Sequence, residues 1–490
     1  MITRRKLVLG AAASGASYCA ARWPLWVPAR AETLAPPAVP QTGKTVAVEF
    51  DVAERQVALP CFGGKALPLW TFNDTTSHDT PGFPTVRMKL GDRLDVRLKN
   101  SLTRAREDLT IHWHGLRIAN GQDGVAYMTQ APIPPGGQGA YSFVPPDTGT
   151  FFFHTHCNSV EHFGRGLIGL LIVEGDETQP VDADIVLAMK DWRIGPDGAF
   201  LPFATADGPA KSGSPGTVRS INGTIKPVIK VAAGADIRLR LLNVDPTRIG
   251  DVGLDGAPAY IIAVDGNACL PMALESWRFG PAQRLDILLR SPAEGATVKL
   301  LDYFAAEPIV LAEFVSEGPD KRADAFNPRP LRASRAPAAN LKAAQRLTFD
   351  LGSTASGEAI GALGAASGIE VGSLCLSKRT FWAINKQSWA SADHSDAGPA
   401  LAELKLGASY IFSFKNQSAH AHPIHIHGHT FEVLSSSLRK LNPHRADTVL
   451  VLPRETIEVA FVADNPGRWM LHCHILEHQE TGMMGYISVT

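Results

Sequence analysis

The sequence predicts an all-β protein made of three consecutive domains of one kind. Two internal repeats and the length carry that prediction. Gly91-Asp92-Arg93-Leu94-Asp95-Val96-Arg97-Leu98-Lys99-Asn100 follows the same plan as Gly234-Ala235-Asp236-Ile237-Arg238-Leu239-Arg240-Leu241-Leu242-Asn243 and as Gly407-Ala408-Ser409-Tyr410-Ile411-Phe412-Ser413-Phe414-Lys415-Asn416. Each alternates apolar and polar residues after a glycine and ends at an asparagine, the pattern of a half-buried strand entering a turn. A second repeat aligns Gly149-Thr150-Phe151-Phe152-Phe153-His154-Thr155-His156 with Gly467-Arg468-Trp469-Met470-Leu471-His472-Cys473-His474. The chain of 490 residues is long enough for three domains of roughly 100–200 residues each.

Taken from the start, residues 1–31 read as a signal peptide. Arg4-Arg5 precede a short apolar run at 7–13, and Ala29-Arg30-Ala31 offers a small-X-small cleavage site. The paired arginines point to twin-arginine export of an already folded chain, and hence to a periplasmic or secreted protein. No later stretch is long and apolar enough to span a bilayer as a helix. The first domain occupies 45–176 and closes at Glu174-Gly175-Asp176-Glu177 after the apolar strand 170–173. The second occupies 177–317. Its segment Gly295-Ala296-Thr297-Val298-Lys299-Leu300-Leu301-Asp302 stands where the other domains carry histidines, so it reads as a spacer without ligands. A Pro-, Ala- and Arg-rich linker, 318–343, leads to the third domain, 344–490, in which the Gly-, Ala- and Ser-rich stretch 353–367 reads as a loop. The formal net charge of -1 gives no basic stripe and argues against a nucleic-acid partner. Outside the signal, Cys61, Cys157, Cys269 and Cys375 remain beside Cys473, and spacing leaves both disulfide pairing and buried free thiols open.

The chemistry concentrates in four His-X-His pairs: His112-Trp113-His114, His154-Thr155-His156, His425-Ile426-His427 and His472-Cys473-His474. In a strand, neighbouring side chains point to opposite faces. His472 and His474 would then face one way and Cys473 the other. With His478 and Met483 nearby, this stretch gathers a thiolate, imidazoles and a thioether, a soft set suited to copper. His422 is an odd number of residues from His425 and His427, so it belongs on the face opposite to theirs. The first domain has Thr155 in place of the cysteine and keeps only the histidines.

Together these motifs closely resemble those of the three-domain multicopper oxidases, particularly bacterial laccase-like members, over residues 46–490. The resemblance implies three cupredoxin-like Greek-key β-barrel domains and four copper ions. It implies a type 1 copper on His422, Cys473 and His478 with Met483 as axial ligand and Met484 as rival, a type 2 copper on His112 and His425, and a type 3 pair on His114, His154, His156, His427, His472 and His474. It implies a monomeric enzyme that takes electrons singly from a small-molecule reductant, a phenol or aromatic amine, through an exposed edge of His422 or His478, and reduces O2 to water. Asp123, eleven residues after His112, holds the place of the family's aspartate near the type 2 copper and is expected to supply protons; it is also a good turn residue before Gly124. Many bacterial members carry a proton-relaying glutamate where this chain has Gln479, which shifts that task to Asp123 or, through water, to Glu480 or Glu477. His420 and His429 read as hydrogen-bonded neighbours of ligands, and His78, His162, His394 and His444 as surface or loop residues. No methionine lies between Met272 and Met470, which disfavours an oxidase of Cu(I). The alternatives are a periplasmic Cu(I) or Fe(II) oxidase in copper tolerance and a non-catalytic exported scaffold; retention of the full ligand set counts against the scaffold.

Overall fold

All three repeated segments form strands, Arg93–Asn100, Asp236–Asn243 and Ser409–Asn416, and the terminal asparagine explains itself. In each copy the buried amide group ties a corner together. Asn100 Nδ2 donates to the carbonyls of Glu107 and Ile133, and its Oδ1 accepts from the Leu102 N–H. Asn243 does the same for Arg248, Phe279 and Asp245, and Asn416 for His420, Val451 and Ser418. An apolar side chain there would remove three hydrogen bonds to the backbone, and each group left without another partner would cost about 1–3 kcal/mol where water cannot reach.

This computed structural model describes residues 39, 41–73, 83–105, 107–353, 381–389 and 397–490. Its β architecture is cupredoxin-like, with the same pairing scheme used three times. The first strand of each unit pairs in parallel with its repeat: Thr45–Val57 with Arg93–Asn100, Ala183–Trp192 with Asp236–Asn243, and Gln345–Ser353 with Ser409–Asn416. Two four-stranded sheets are built from strands between Thr45 and Glu174. A six- and a five-stranded sheet follow between Ala183 and Glu317, and another such pair between Gln345 and Val489. In the first pair, Val48, Val96 and Leu98 of one sheet share a core with Trp113, Phe151 and Phe153 of the other. Among the described residues no helix is long and apolar enough to cross a membrane.

One expectation needs correction. The middle repeat is not half-buried: all eight residues of Asp236–Asn243 are buried. Arg238 pairs with Asp176 and Asp286, and Arg240 with Asp184 and Asp286 while donating to Thr150. The polar face of this strand meets the first domain instead of water, so its arginines are carried into the interior with their carboxylates.

Two hairpin-like pairings position the histidines. His112–His114 lies antiparallel to Gly149–His154 with His112 opposite His154. His422–Ile426 lies antiparallel to Gly467–Cys473 with His425 opposite His472. Both long strands start at a glycine that the backbone requires, with φ of 142° at Gly149 and 129° at Gly467. A Cβ at Gly149 would lie 2.6 Å from the Gly266 backbone. A short helix follows each strand, α1 (Ser159–Gly164) and α2 (Leu476–Glu480).

Candidate metal centre

Eight imidazoles meet between the first and third domains. His112, His114, His154, His156, His425, His427, His472 and His474 are all at most 3% exposed. Three sets have ring nitrogens within 4.8 Å of one another: His112, His114 and His425; His112, His156 and His427; and His114, His154 and His474. His472 joins through its Nε2, 3.0 Å from His427 Nε2.

Hydrogen bonds at the outer nitrogens fix the rings. Nδ1 donates to a backbone carbonyl in His112 (Asp123, 2.9 Å), His154 (Thr155, 3.0 Å), His425 (Asp447, 2.9 Å) and His472 (Cys473, 3.0 Å). His427 Nδ1 donates to Asp123 Oδ2 at 2.9 Å. The opposite nitrogen of each ring is then a bare lone pair. Those of His112, His154, His156 and His425 (Nε2) and of His114 (Nδ1) are buried without a hydrogen-bond partner, as are both nitrogens of His474. Burial holds the imidazoles of His114, His154, His156, His427, His472 and His474 well below their ordinary pKa, so they stay neutral. Neutral lone pairs converging in a dry site, two of them 3.0 Å apart, repel one another unless cations sit among them. This donor set fits borderline metals that prefer imidazole, copper included.

The other face of the Gly467–Cys473 strand carries a second locus. His422, Cys473 and His478 have their donor atoms within 4.8 Å of one another. Cys473 Sγ lies 3.7 Å from Nδ1 of both histidines, and the two Nδ1 atoms are 3.1 Å apart. Both outer nitrogens are engaged: His478 Nε2 donates to the Lys211 carbonyl at 2.5 Å, and His422 Nε2 meets Ser418 Oγ at 2.8 Å. The Ile475 N–H donates to Sγ. Burial pushes the Cys473 thiol far up and the His478 imidazole down to about 3, so a thiolate persists here only beside a bound cation. Met483, fully buried, shares an apolar cluster with Cys473 and Ile475, whereas Met484 packs with Val125, Met128, Trp389 and Met470.

No edge of His422 or His478 reaches solvent; both are 0% exposed. The expected exposed edge is absent because the middle domain covers it. The Pro209 carbonyl accepts from Trp382 Nε1, Ser212 Oγ lies 3.1 Å from His420 Nδ1, and Ser214 donates to Glu477. Trp382 sits against both rings, its centroid 4.9 Å from that of His422 and 4.6 Å from that of His478. Half-buried His420 is a neighbour of this locus, and buried His429 donates to the His427 carbonyl.

The carboxylates divide. Asp123 reaches His112 and His427. Glu480 instead accepts from the Ser159 N–H and caps α1, and Glu477 is held by Ser214. Gln479 is buried with its Oε1 unpaired. His162 and His444 are not surface residues: both are buried, His162 beside Thr155 Oγ1 (2.6 Å) and Glu107 Oε2 (3.1 Å), His444 against Trp277. His162 was findable, since Val160-Glu161-His162 echoes Leu476-Glu477-His478. Asp447 and Arg284, which reach this cluster, carried no local signal. Cys61, Cys157 and Cys269 are free thiols; Cys375, His78, His394 and most of the loop 353–367 lie outside the described residues.

The multicopper oxidase family matches at residues 57–178 and again at 377–490. A multi-copper oxidase from Pseudomonas thermotolerans is 32% identical, with a TM-score of 0.79 over 91% of this chain and 100% of that one. The multicopper oxidase MmcO of Mycobacterium tuberculosis is 27% identical over 91% of this chain and 87% of its own. A laccase of Cryphonectria parasitica is 25% identical over 82% and 75%. The chain belongs to the multicopper oxidase family. It is accordingly a copper-dependent oxidoreductase that uses four copper ions and takes dioxygen as electron acceptor.

Proposed function

We propose that this oxidase acts on phenols and aromatic amines, in the manner of a laccase. His422, Cys473 and His478, with the Met483 thioether packed beside Cys473, would hold the type 1 copper. His112 and His425 hold the type 2 copper. Of the type 3 pair, one ion belongs to His114, His154 and His474 and the other to His156, His427 and His472. The observation that carries this reading is the set of bare, buried ring nitrogens, those of His112, His114, His154 and His425 each having the other ring nitrogen already spent on a carbonyl or carboxylate. When bound, the four coppers accept electrons one at a time and supply the four that convert dioxygen to water.

The chain's own residues account for the rest. Cys473 is the peptide neighbour of both His472 and His474, so a short covalent path joins the thiolate to the cluster's imidazoles. Asp123, in contact with one ring of each outer domain, is the carboxyl placed to hand on protons, in the absence of a carboxyl at Gln479. With both type 1 imidazoles covered, the reductant meets the protein at the segment around Lys211 and at His420. An axial methionine favours a modest type 1 potential, hence easily oxidised substrates. The domains are 45–176, 177–317 and 344–490 with a linker at 318–343. The enzyme acts as a monomer, exported through its paired arginines.

The test is visible absorption of the copper-loaded mature protein under a phenol without oxygen, followed by air. The intense blue band should bleach and return; in Asp123→Asn it should bleach as before and return more slowly. A wild-type band that never forms at full copper content overturns the reading. Faster oxidation of Cu(I) or Fe(II) than of the phenol moves the substrate to metal ions.

A further inference from the structure

The middle domain carries no candidate ligand, yet one of its side chains reaches the histidine cluster. Arg284, on the strand Arg284–Arg290, is fully buried. Its Nη1 and Nη2 donate to Asp447 Oδ1 at 2.9 Å and Oδ2 at 2.6 Å, and its Nε donates to the Thr150 carbonyl at 3.1 Å. Asp447 in turn serves one imidazole from each of the other domains. Its Oδ1 lies 3.2 Å from His114 Nε2, and its carbonyl accepts from His425 Nδ1 at 2.9 Å. Asp265, also from the middle domain, closes the far side. It accepts from the backbone N–H of Arg284 at 2.8 Å and of Thr448 at 3.1 Å.

Asp123 makes the matching grip on His112 and His427. The two carboxylates differ in one respect. Among the described residues Asp123 pairs with no lysine or arginine, whereas the planar fork of Arg284 fixes both oxygens of Asp447. Space for this fork is kept by Gly115 at φ +86°, where a Cβ would come 2.4 Å from Arg284 Nη2 and 2.5 Å from Asp447 Oδ2. A carboxylate pinned in this way is suited to orient rings.

We propose that Arg284 and Asp447 are positioning residues. Through them the middle domain sets the rotation of His425, whose Nδ1 also lies 3.4 Å from Asp447 Oδ1, and with it the hold on the type 2 copper; the same carboxylate orients His114 of the type 3 set. The proposal rests on the ligand assignment given above, and its test separates the two. Paramagnetic resonance of the resting enzyme reports type 1 and type 2 copper as distinct signals, so the type 1 signal serves as an internal standard while a chelator is titrated in. Arg284→Lys keeps the charge and loses the fork; Asp447→Asn keeps the shape and loses the charge. Both should retain the blue band and release type 2 copper at roughly 10–100-fold lower chelator concentration, the usual cost of removing a partner that orients a metal-ligating histidine. Arg240→Lys is the control, since Arg240 is equally buried between domains but pairs with Asp184 and Asp286. Equal loss of type 2 copper in Arg240→Lys, joint loss of both signals in the two test variants, or unchanged type 2 retention in Asp447→Asn each overturns the proposal. A wild-type enzyme with no type 2 signal overturns the ligand assignment instead.

Discussion

The strands Gly149–His154 and Gly467–Cys473 run the same course, one in each outer domain, and part in their chemistry on the face turned away from the histidine cluster. Each starts at a positive-φ glycine, pairs with a His-X-His strand in the same register, and leads into a short helix bearing Glu-His. Toward the cluster they present equivalent imidazoles. Away from it, the third domain assembles His422, Cys473 and His478, while the first has Leu109, Thr155 and His162 at the corresponding places. There Thr155 Oγ1, the His162 imidazole and the Glu107 carboxylate form a closed hydrogen-bonded row, with Arg104 on Glu107 beyond. The same scaffold therefore yields a soft-metal site or an ordinary satisfied core, depending on two side chains, Leu109 against His422 and Thr155 against Cys473. The neighbouring glutamates diverge as well. Although burial pushes the Glu161 carboxyl up, Arg104 and Arg165 hold it below its usual range; burial raises Glu477, whose hydrogen bonds come from Ser214, to about 7.

The largest effect should come from making the third domain like the first. Cys473→Ser removes the soft ligand, so the blue band should vanish and phenol oxidation fall to background while the type 2 resonance signal persists. Retained blue absorption would show that the thiolate is not the type 1 ligand. Breaking the first domain's row should cost stability and leave the metal site alone. His162→Ala removes the imidazole's hydrogen bonds to Thr155 Oγ1 and Glu107 Oε2, which keep Cys157 and Asn158 as partners, at about 1–3 kcal/mol for the two lost bonds. Thermal denaturation should show the loss with an unchanged visible spectrum; an equal loss of the blue band would mean that the two faces are not independent.

The smallest effect is a pH dependence, and it has opposite signs in the two domains. Glu477 titrates at about 7 in the folded chain against an ordinary 4.5. Its contribution to stability is therefore fully present below about pH 4.5 and lost as pH rises through about 7, by at most about 3 kcal/mol. Glu477→Gln should flatten the fall in melting temperature between about pH 5 and 7.5. Glu161 is held below its ordinary value, so its contribution is present above about pH 4.5 and lost as pH falls through the folded value. Glu161→Gln should cost stability at neutral pH and little in acid. Parallel profiles for the two variants would contradict the contrast.

The gathering of the histidines and Cys473 into two loci was legible because it depends on local rules. A two-residue period puts His472 and His474 on one face and Cys473 on the other, and the odd offset of His422 sends it to the cysteine's side. The glycine-to-asparagine repeats likewise announced three copies of one β unit, since each strand carries its own alternation and its own corner. Other features depended on which distant segments meet. Lys211 and Pro209 cover the type 1 locus from another domain, so no pattern around His478 could reveal that its edge is shut. The middle repeat alternates as the others do, and its arginines are buried only because a second domain docks on them. Arg284 and Asp447 stand 163 residues apart and meet below a glycine whose missing side chain leaves them room. Backbone periodicity is written into neighbouring residues, whereas burial and charge pairing between domains arise only when those surfaces close on one another and exclude water.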